Sequence, residues 1–204
     1  MRPDTDDRRA HGTLTGGHRR PGCSPCCTLL LLLLALLVPV PSYALDGKPT
    51  EAGEVRLLTD DYYHTLLDYI RHADHEIHLA MFLFKAGDSR NNRAWSIADE
   101  LISARTRGVR VLVLLERSGY DKSINQENEK AAARLRQNGI DVFFDATDTT
   151  THTKAVVIDR RYVFVGSHNL THSALARNNE LSLLVDNEAL AGDIILYLQN
   201  LAAH

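Results

Sequence analysis

The sequence predicts an α/β fold, a mixed β-sheet flanked by helices on both faces. Three observations point to it. Short apolar runs alternate with segments of helical periodicity, the pattern of a layered α/β sandwich. Val109–Leu115 is apolar almost throughout, as a parallel strand buried on both faces requires. Val156–Ile158 and Tyr162–Val165 are β-branched and aromatic runs separated by a few polar residues, which reads as a hairpin. In chain order, Val55–Leu58 is a strand and Asp61–His72 a helix with Tyr63, Leu66, Leu67 and Ile70 on one face. Glu76–Phe84 is a strand. Arg93–Arg107 is a helix that turns Ala94, Ile97, Ala98, Leu101 and Ile102 inward and ends at Gly108. Gln126–Asn138 is a helix closed by Gly139, and Val142–Phe144 a strand that leads to the hairpin. Leu181–Val185 is a strand, and Glu188–Leu201 a final helix with Leu190, Ile194, Leu198 and Leu201 in register.

Ahead of these elements lies a leader. A Leu-rich run from Cys26 to Val40 follows Arg19-Arg20 and precedes Pro41-Ser42-Tyr43-Ala44. Small residues at Ser42 and Ala44 fit signal-peptidase cleavage after Ala44. The run has 15 residues, short of the roughly 20 that span a bilayer. Residues 1–44 are therefore read as a signal peptide, with an uncleaved anchor as the lesser option. The polar stretch before the run is long enough that the true start codon could lie further in. Export to the periplasm or the exterior follows, with residues 45–204 as one domain. Cys23, Cys26 and Cys27 all fall in the leader, so the exported part is expected to have no disulfide and no Cys-ligated zinc. The leader holds five of the 23 Lys+Arg and three of the 26 Asp+Glu, which leaves the remaining 160 residues at a net charge of −5. That is not the global charge of a strong nonspecific DNA binder. Lys85, Arg90, Arg93, Arg105 and Arg107 cluster in sequence; they read as a solvated helix face with its flanks, a basic groove being the alternative.

The chemistry lies in and after the hairpin. His152, Lys154 and Asp159 fit H-x-K-x-x-x-x-D, and Gly166-Ser167-His168-Asn169 fits G-S-x-N, with Glu180 downstream. A tight turn over Asp159-Arg160-Arg161-Tyr162 would pair Ile158 with Val163, Lys154 with Ser167 and His152 with Asn169. That register gathers His152, Lys154, Ser167 and Asn169 into one polar patch and leaves Asp159, at the turn, in a supporting role. A neutral imidazole can attack phosphorus and divide one hard displacement into two. An ammonium and an amide can hold the non-bridging oxygens as charge develops. Glu180 could hydrogen-bond the far ring nitrogen of a catalytic histidine and fix its tautomer.

This pair of motifs resembles the signature of the phospholipase D superfamily of phosphodiesterases, over about residues 54–203. The resemblance implies His152 as nucleophile, with Lys154, Asn169 and Glu180 as further catalytic groups and Asp159, Gly166 and Ser167 in support. It implies a phosphohistidine intermediate and no metal or other cofactor. A second histidine must then protonate the leaving group. The larger members carry two motifs in one chain. The small ones carry one and form a twofold dimer with the active site across the interface. A single motif in 204 residues looks like the second kind, most of all like the small exported bacterial endonucleases of the superfamily, and implies a homodimer sharing one active site.

Other residues have plainer readings. His72, His75 and His78 recur every third residue, but His75 and His78 would face opposite sides of a strand, so no metal site is read there. His168 has the opposite parity to Ser167 and Asn169 and reads, with His172, as a packing or surface residue. Trp95 reads as helix packing. Ser118–Asn128 and Ala146–Thr151, read as loops beside the site, are polar, whereas a lipid enzyme needs an apolar rim. The expectation is therefore an exported nuclease cutting DNA or RNA; the alternatives are a phospholipase D acting on membrane phospholipid and a silent binding protein that keeps the fold.

Overall fold

The computed structural model describes residues 53–87, 89, 91–146 and 148–203. The leader with its three cysteines, and Arg90, lie outside the described residues. Elements run β1 (Glu54–Leu58), α1 (Tyr62–Arg71), β2 (Glu76–Met81), β3 (Phe84–Lys85), α2 (Arg93–Thr106), β4 (Arg110–Leu115), α3 (Lys122–Gln137) and β5 (Asp141–Phe144). They continue with β6 (Lys154–Ile158), β7 (Tyr162–Gly166), β8 (Leu170–Thr171), α4 (His172–Ala176), β9 (Ser182–Asp186) and α5 (Glu188–Ala202). Seven strands form one mixed sheet in the order β1-β9-β7-β6-β2-β4-β5. The β2, β4 and β5 pairings are parallel; β1, β9, β7, β6 and β2 are joined by antiparallel ones.

Period-2 alternation decides which side chains meet which helices. Ile77, Leu79 and Met81 of β2, Val111, Val113 and Leu115 of β4, and Val156 and Ile158 of β6 face the main core, with Leu66, Ile70, Ile97, Leu101 and Leu135 of α1, α2 and α3. Val157, Val163 and Val185 face the other way and are covered by Ala191 and Ile195 of α5. Helices thus lie on both faces of the sheet. No helix among the described residues is long and apolar enough to cross a membrane.

Three elements differ from the sequence expectation. The strand expected over Glu76–Phe84 breaks after Met81, because the next backbone groups are drawn elsewhere: the Phe82 N–H donates to the Thr153 carbonyl at 3.0 Å and the Phe84 N–H to Asn128 Oδ1 at 2.8 Å. Phe84–Lys85 then pairs with Leu170–Thr171 in a separate two-stranded sheet. Helix α3 begins four residues before the expected Gln126, since Asp121 caps it by accepting from the Ser123 N–H at 2.8 Å. Ser118–Asn128 is therefore mostly helix and not a loop.

The hairpin register is the third. Asp159 and Arg160 both adopt left-handed backbone, φ 52° and 53°, and the Arg161 N–H donates to the Ile158 carbonyl at 3.1 Å. Two positive-φ central residues make the turn whose twist matches the flanking strands. The ladder pairs Ile158 with Tyr162 and Val157 with Val163, one residue out from the expected pairing of Ile158 with Val163. Asp159 tolerates its conformation because its carboxylate is fully engaged: it accepts the backbone N–H groups of Asp74 at 3.0 Å, His75 at 2.8 Å and Glu76 at 3.0 Å. It ties the hairpin tip to the start of β2. Asp159→Ala leaves three donors without their acceptor, and a loss of about 2–3 kcal/mol is expected in denaturant unfolding. A loss within about 0.5 kcal/mol would be that of an ordinary surface position.

Candidate functional site

The site lies where β2, β4 and β5 end and β6 begins. His152 precedes β6 and is exposed; its ring meets Phe82 edge-on, centroids 4.5 Å apart. Desolvation, and then the charge of Lys154, lower its pKa from the usual 6.5, so the imidazole is neutral at neutral pH. Lys154 is buried, and its Nζ donates to the His152 carbonyl at 2.8 Å and stands 5.0 Å from the Phe82 ring centroid. Burial lowers the pKa of its ammonium, and the charge of Glu180 opposes that shift.

Ser167, Asn169 and Glu180 arrive by a route the sequence did not suggest. With the ladder shifted by one, Lys154 cannot lie opposite Ser167, nor His152 opposite Asn169. The chain instead bends at Ser167 and crosses to the small sheet. The Ser167 N–H donates to the Leu181 carbonyl at 3.0 Å, and its hydroxyl accepts from the Leu181 N–H at 3.1 Å and donates to Glu180. Glu180 also accepts from Asn178 Nδ2 at 3.0 Å. Within one chain its carboxylate is held by Ser167 and Asn178, with no hydrogen bond to His152 among the described residues. Asn169 accepts the Leu83 N–H on Oδ1 at 3.2 Å, which turns the donor end of its amide away from that contact. Gly166 is required by crowding: a Cβ there would come within 2.3 Å of Ser182 Oγ and 2.5 Å of the Leu181 carbonyl oxygen.

The remaining histidines stand elsewhere. His168 is buried, 2.8 Å from Ser182 Oγ through Nδ1 and stacked on Tyr62 at 4.0 Å. His172 accepts from the Arg93 N–H at 3.3 Å. His72 lies 2.9 Å from the Asp68 carbonyl, whereas His78 is buried beside Glu76 at 3.5 Å. The basic cluster also disperses. Arg93 stacks over Tyr63, Arg105 donates to the Gly139 carbonyl, Arg107 to the Ile70 carbonyl, and Lys85 pairs with Glu127. Lys85, Arg105 and Arg107 remain exposed, as expected of a solvated helix face with its flanks, while also tying neighbouring elements together. Trp95 packs under the guanidinium of Arg134 at 3.5 Å.

Residue types alone did not reveal Phe82, on which both His152 and Lys154 rest, nor Glu116 and Asp145. The two carboxylates follow β4 and β5 directly, and the ends of parallel strands are where α/β sheets place their sites.

The site thus joins an exposed neutral imidazole and a buried lysine at the start of β6 with an amide and a carboxylate from the segments that follow β7, and the chain that carries it belongs to the phospholipase D superfamily. The family model of the cardiolipin synthase, PLD-like domain matches residues 66–202. The chain is similar to the phospholipase D of Rickettsia typhi, 36% identical over 123 residues, which cover 58% of this chain and 56% of the relative. It thus spans about half the length of the curated relatives it matches. Among solved structures it is similar in fold to Nuc, a phospholipase D family member from Salmonella typhimurium, with a TM-score of 0.61, 22% identity, and 72% of this chain and 93% of that one covered. NucT from Helicobacter pylori aligns with a TM-score of 0.57 and 20% identity over 72% of this chain and 94% of its own.

Proposed function

We propose that this protein is an exported, metal-independent phosphodiesterase that acts through a phosphohistidine on His152, with nucleic acid as its substrate. The observation that carries the reading is the pairing of an exposed neutral imidazole with the Lys154 ammonium two residues on. Neutral Nε2 or Nδ1 attacks phosphorus, the leaving oxygen takes a proton from a second imidazole, and water then cleaves the phosphohistidine. Lys154 and the amide of Asn169 hold the non-bridging oxygens. Asp159 and Gly166 hold the backbone on which these groups stand, and Ser167 orients Glu180.

Among the described residues one chain supplies one such imidazole beside Lys154, and His168 and His172 are engaged elsewhere. A twofold copy supplies the second. An exposed apolar strip supports this: Leu57, Leu183 and Val165 lie in register on one sheet face, with Leu57 57% and Val165 37% exposed. Leu181, next to Glu180, extends it at 54%. Such a strip beside a half-site suits a self-complementary interface.

Nucleic acid is favoured because the segments after β4 and before His152, Ser118–Asp121 and Asp148–Thr151, are mostly polar, with Tyr120 their one exposed large apolar side chain, and give a bilayer little to receive. Phospholipid is the second reading, favoured by the phospholipase D name of the Rickettsia typhi relative. Purified protein is to be assayed in parallel on single- and double-stranded nucleic acid and on phosphatidylcholine vesicles, each with and without EDTA. Cleavage of nucleic acid that EDTA leaves intact is the expected result. Release of headgroup alone would transfer the proposal to lipid, and chelator-sensitive activity restored by Mg²⁺ would contradict the phosphohistidine.

A further inference from the structure

Two buried carboxyls sit directly beneath the nucleophile and have no place in the mechanism above. Glu116 is 1% exposed and Asp145 7%. Both accept the same N–H, that of Thr151: Glu116 Oε2 lies 2.6 Å from it and Asp145 Oδ2 3.2 Å. Thr151 is itself buried and is the residue before His152. The two carboxyls are within hydrogen-bonding reach of each other. Asp145 accepts a second backbone donor, the Arg117 N–H at 2.6 Å. The frame around them is firm: the Glu116 N–H donates to the Met81 carbonyl, its own carbonyl accepts from Asn128 Nδ2, and the Asp145 N–H donates to the Leu115 carbonyl.

We infer that Glu116 and Asp145 share one proton and, by clasping the Thr151 N–H between them, act as positioning residues that hold His152 in line for attack. Two carboxylates converging on one buried donor cannot both be ionised without strong repulsion. Burial, and then Asp145, push the Glu116 carboxyl up to about 7, the direction expected where two carboxyls hold one proton between them. The charged groups on the surrounding elements do not offer an alternative partner. On the β6 side Lys154 turns to the His152 carbonyl and His152 to Phe82. The α3 side presents the neutral amide of Asn128. The guanidinium of Arg117 leaves for Glu129 and the Phe144 ring. Loss of the proton forces the pair apart, loosens Thr151 and moves the imidazole.

The inference rests on the phosphodiesterase reading for its kinetic consequence, whereas the shared proton is testable without a substrate. Three variants of the full chain separate the possibilities. Glu116→Gln keeps an acceptor for Thr151 and a donor for Asp145 but has no proton to lose. Its kcat relative to the parent's should rise several-fold from about pH 6 to about pH 8. Glu116→Ala and Asp145→Ala should lower kcat at least tenfold with KM little changed. The proton also links to stability. A carboxyl raised in the folded state holds its proton more tightly than in the unfolded chain, so the parent should lose stability from about pH 4.5 to about pH 7. Glu116→Gln should lack that slope in thermal melts, and a protonated-carboxyl stretch in the infrared spectrum at pH 6 should be missing from it. A constant kcat ratio across pH, or a parent with neither the slope nor the stretch, would overturn the inference. If His152→Ala remained active while the slope and the stretch were present, the mechanism would fall and the shared proton would stand.

Discussion

His152→Ala should abolish turnover and leave the fold intact. The side chain is exposed, and among the described residues its ring meets that of Phe82. Truncation therefore removes little packing, and melting temperature should barely move. Turnover disappears because no other imidazole among the described residues stands beside Lys154. The same variant tests the dimer. If each site needs two copies of His152, refolding parent chains with His152→Ala chains randomises subunits, and activity falls as the square of the parent fraction. An equal mixture then keeps roughly a quarter of full activity. A linear fall to half would mean that each chain is self-sufficient. In the proposed mechanism the imidazole also sets the acid limb of the pH profile. Attack needs the neutral ring, and desolvation with the nearby ammonium lowers its pKa below the usual 6.5. Activity should accordingly rise with pH through an inflection below that value.

Lys154→Ala should lower kcat on the order of 10²–10³-fold, the magnitude of a lost transition-state donor. In the proposed mechanism its ammonium presents positive charge toward a bound phosphate, and in the fold it anchors the His152 carbonyl at 2.8 Å. Lys154→Arg should not restore activity. The planar guanidinium cannot occupy the space of a compact ammonium seated 5.0 Å from the Phe82 ring centroid. Recovery of near-parent kcat by arginine would show that only bulk positive charge is needed at this position.

Much of this was legible in the chain. The helices and the core strands of the sheet follow from apolar periodicity, and the H-x-K-x-x-x-x-D and G-S-x-N motifs bring their family with them. What periodicity could not give was the geometry of joining. The turn at Asp159 is decided by a long-range contact, its carboxylate gathering N–H groups more than 80 residues away, and this moved the hairpin register by one. The short strands β3 and β8 exist because Asn128, a polar side chain at 0% exposure, takes the backbone groups of Phe82, Phe84 and Glu116. Neither strand has a sequence pattern of its own, and each has two residues. The five-residue helix α4 is likewise too short for a period to register. Glu116 and Asp145 were hidden for a related reason. Each is a single carboxylate after an apolar strand, and only the parallel pairing of β4 with β5 brings them together.

The claim on which the rest depends is that phosphorus becomes bonded to His152. Acid quenching during turnover, followed by proteolysis and mass spectrometry under conditions that spare the N–P bond, tests it directly. The expected result is an adduct on the peptide carrying His152, with the mass of a nucleotide phosphate, absent from His152→Ala. A phosphatidyl adduct on the same residue would keep the chemistry and change the substrate. Turnover with no adduct on His152, or with phosphorus on another residue, would contradict the account.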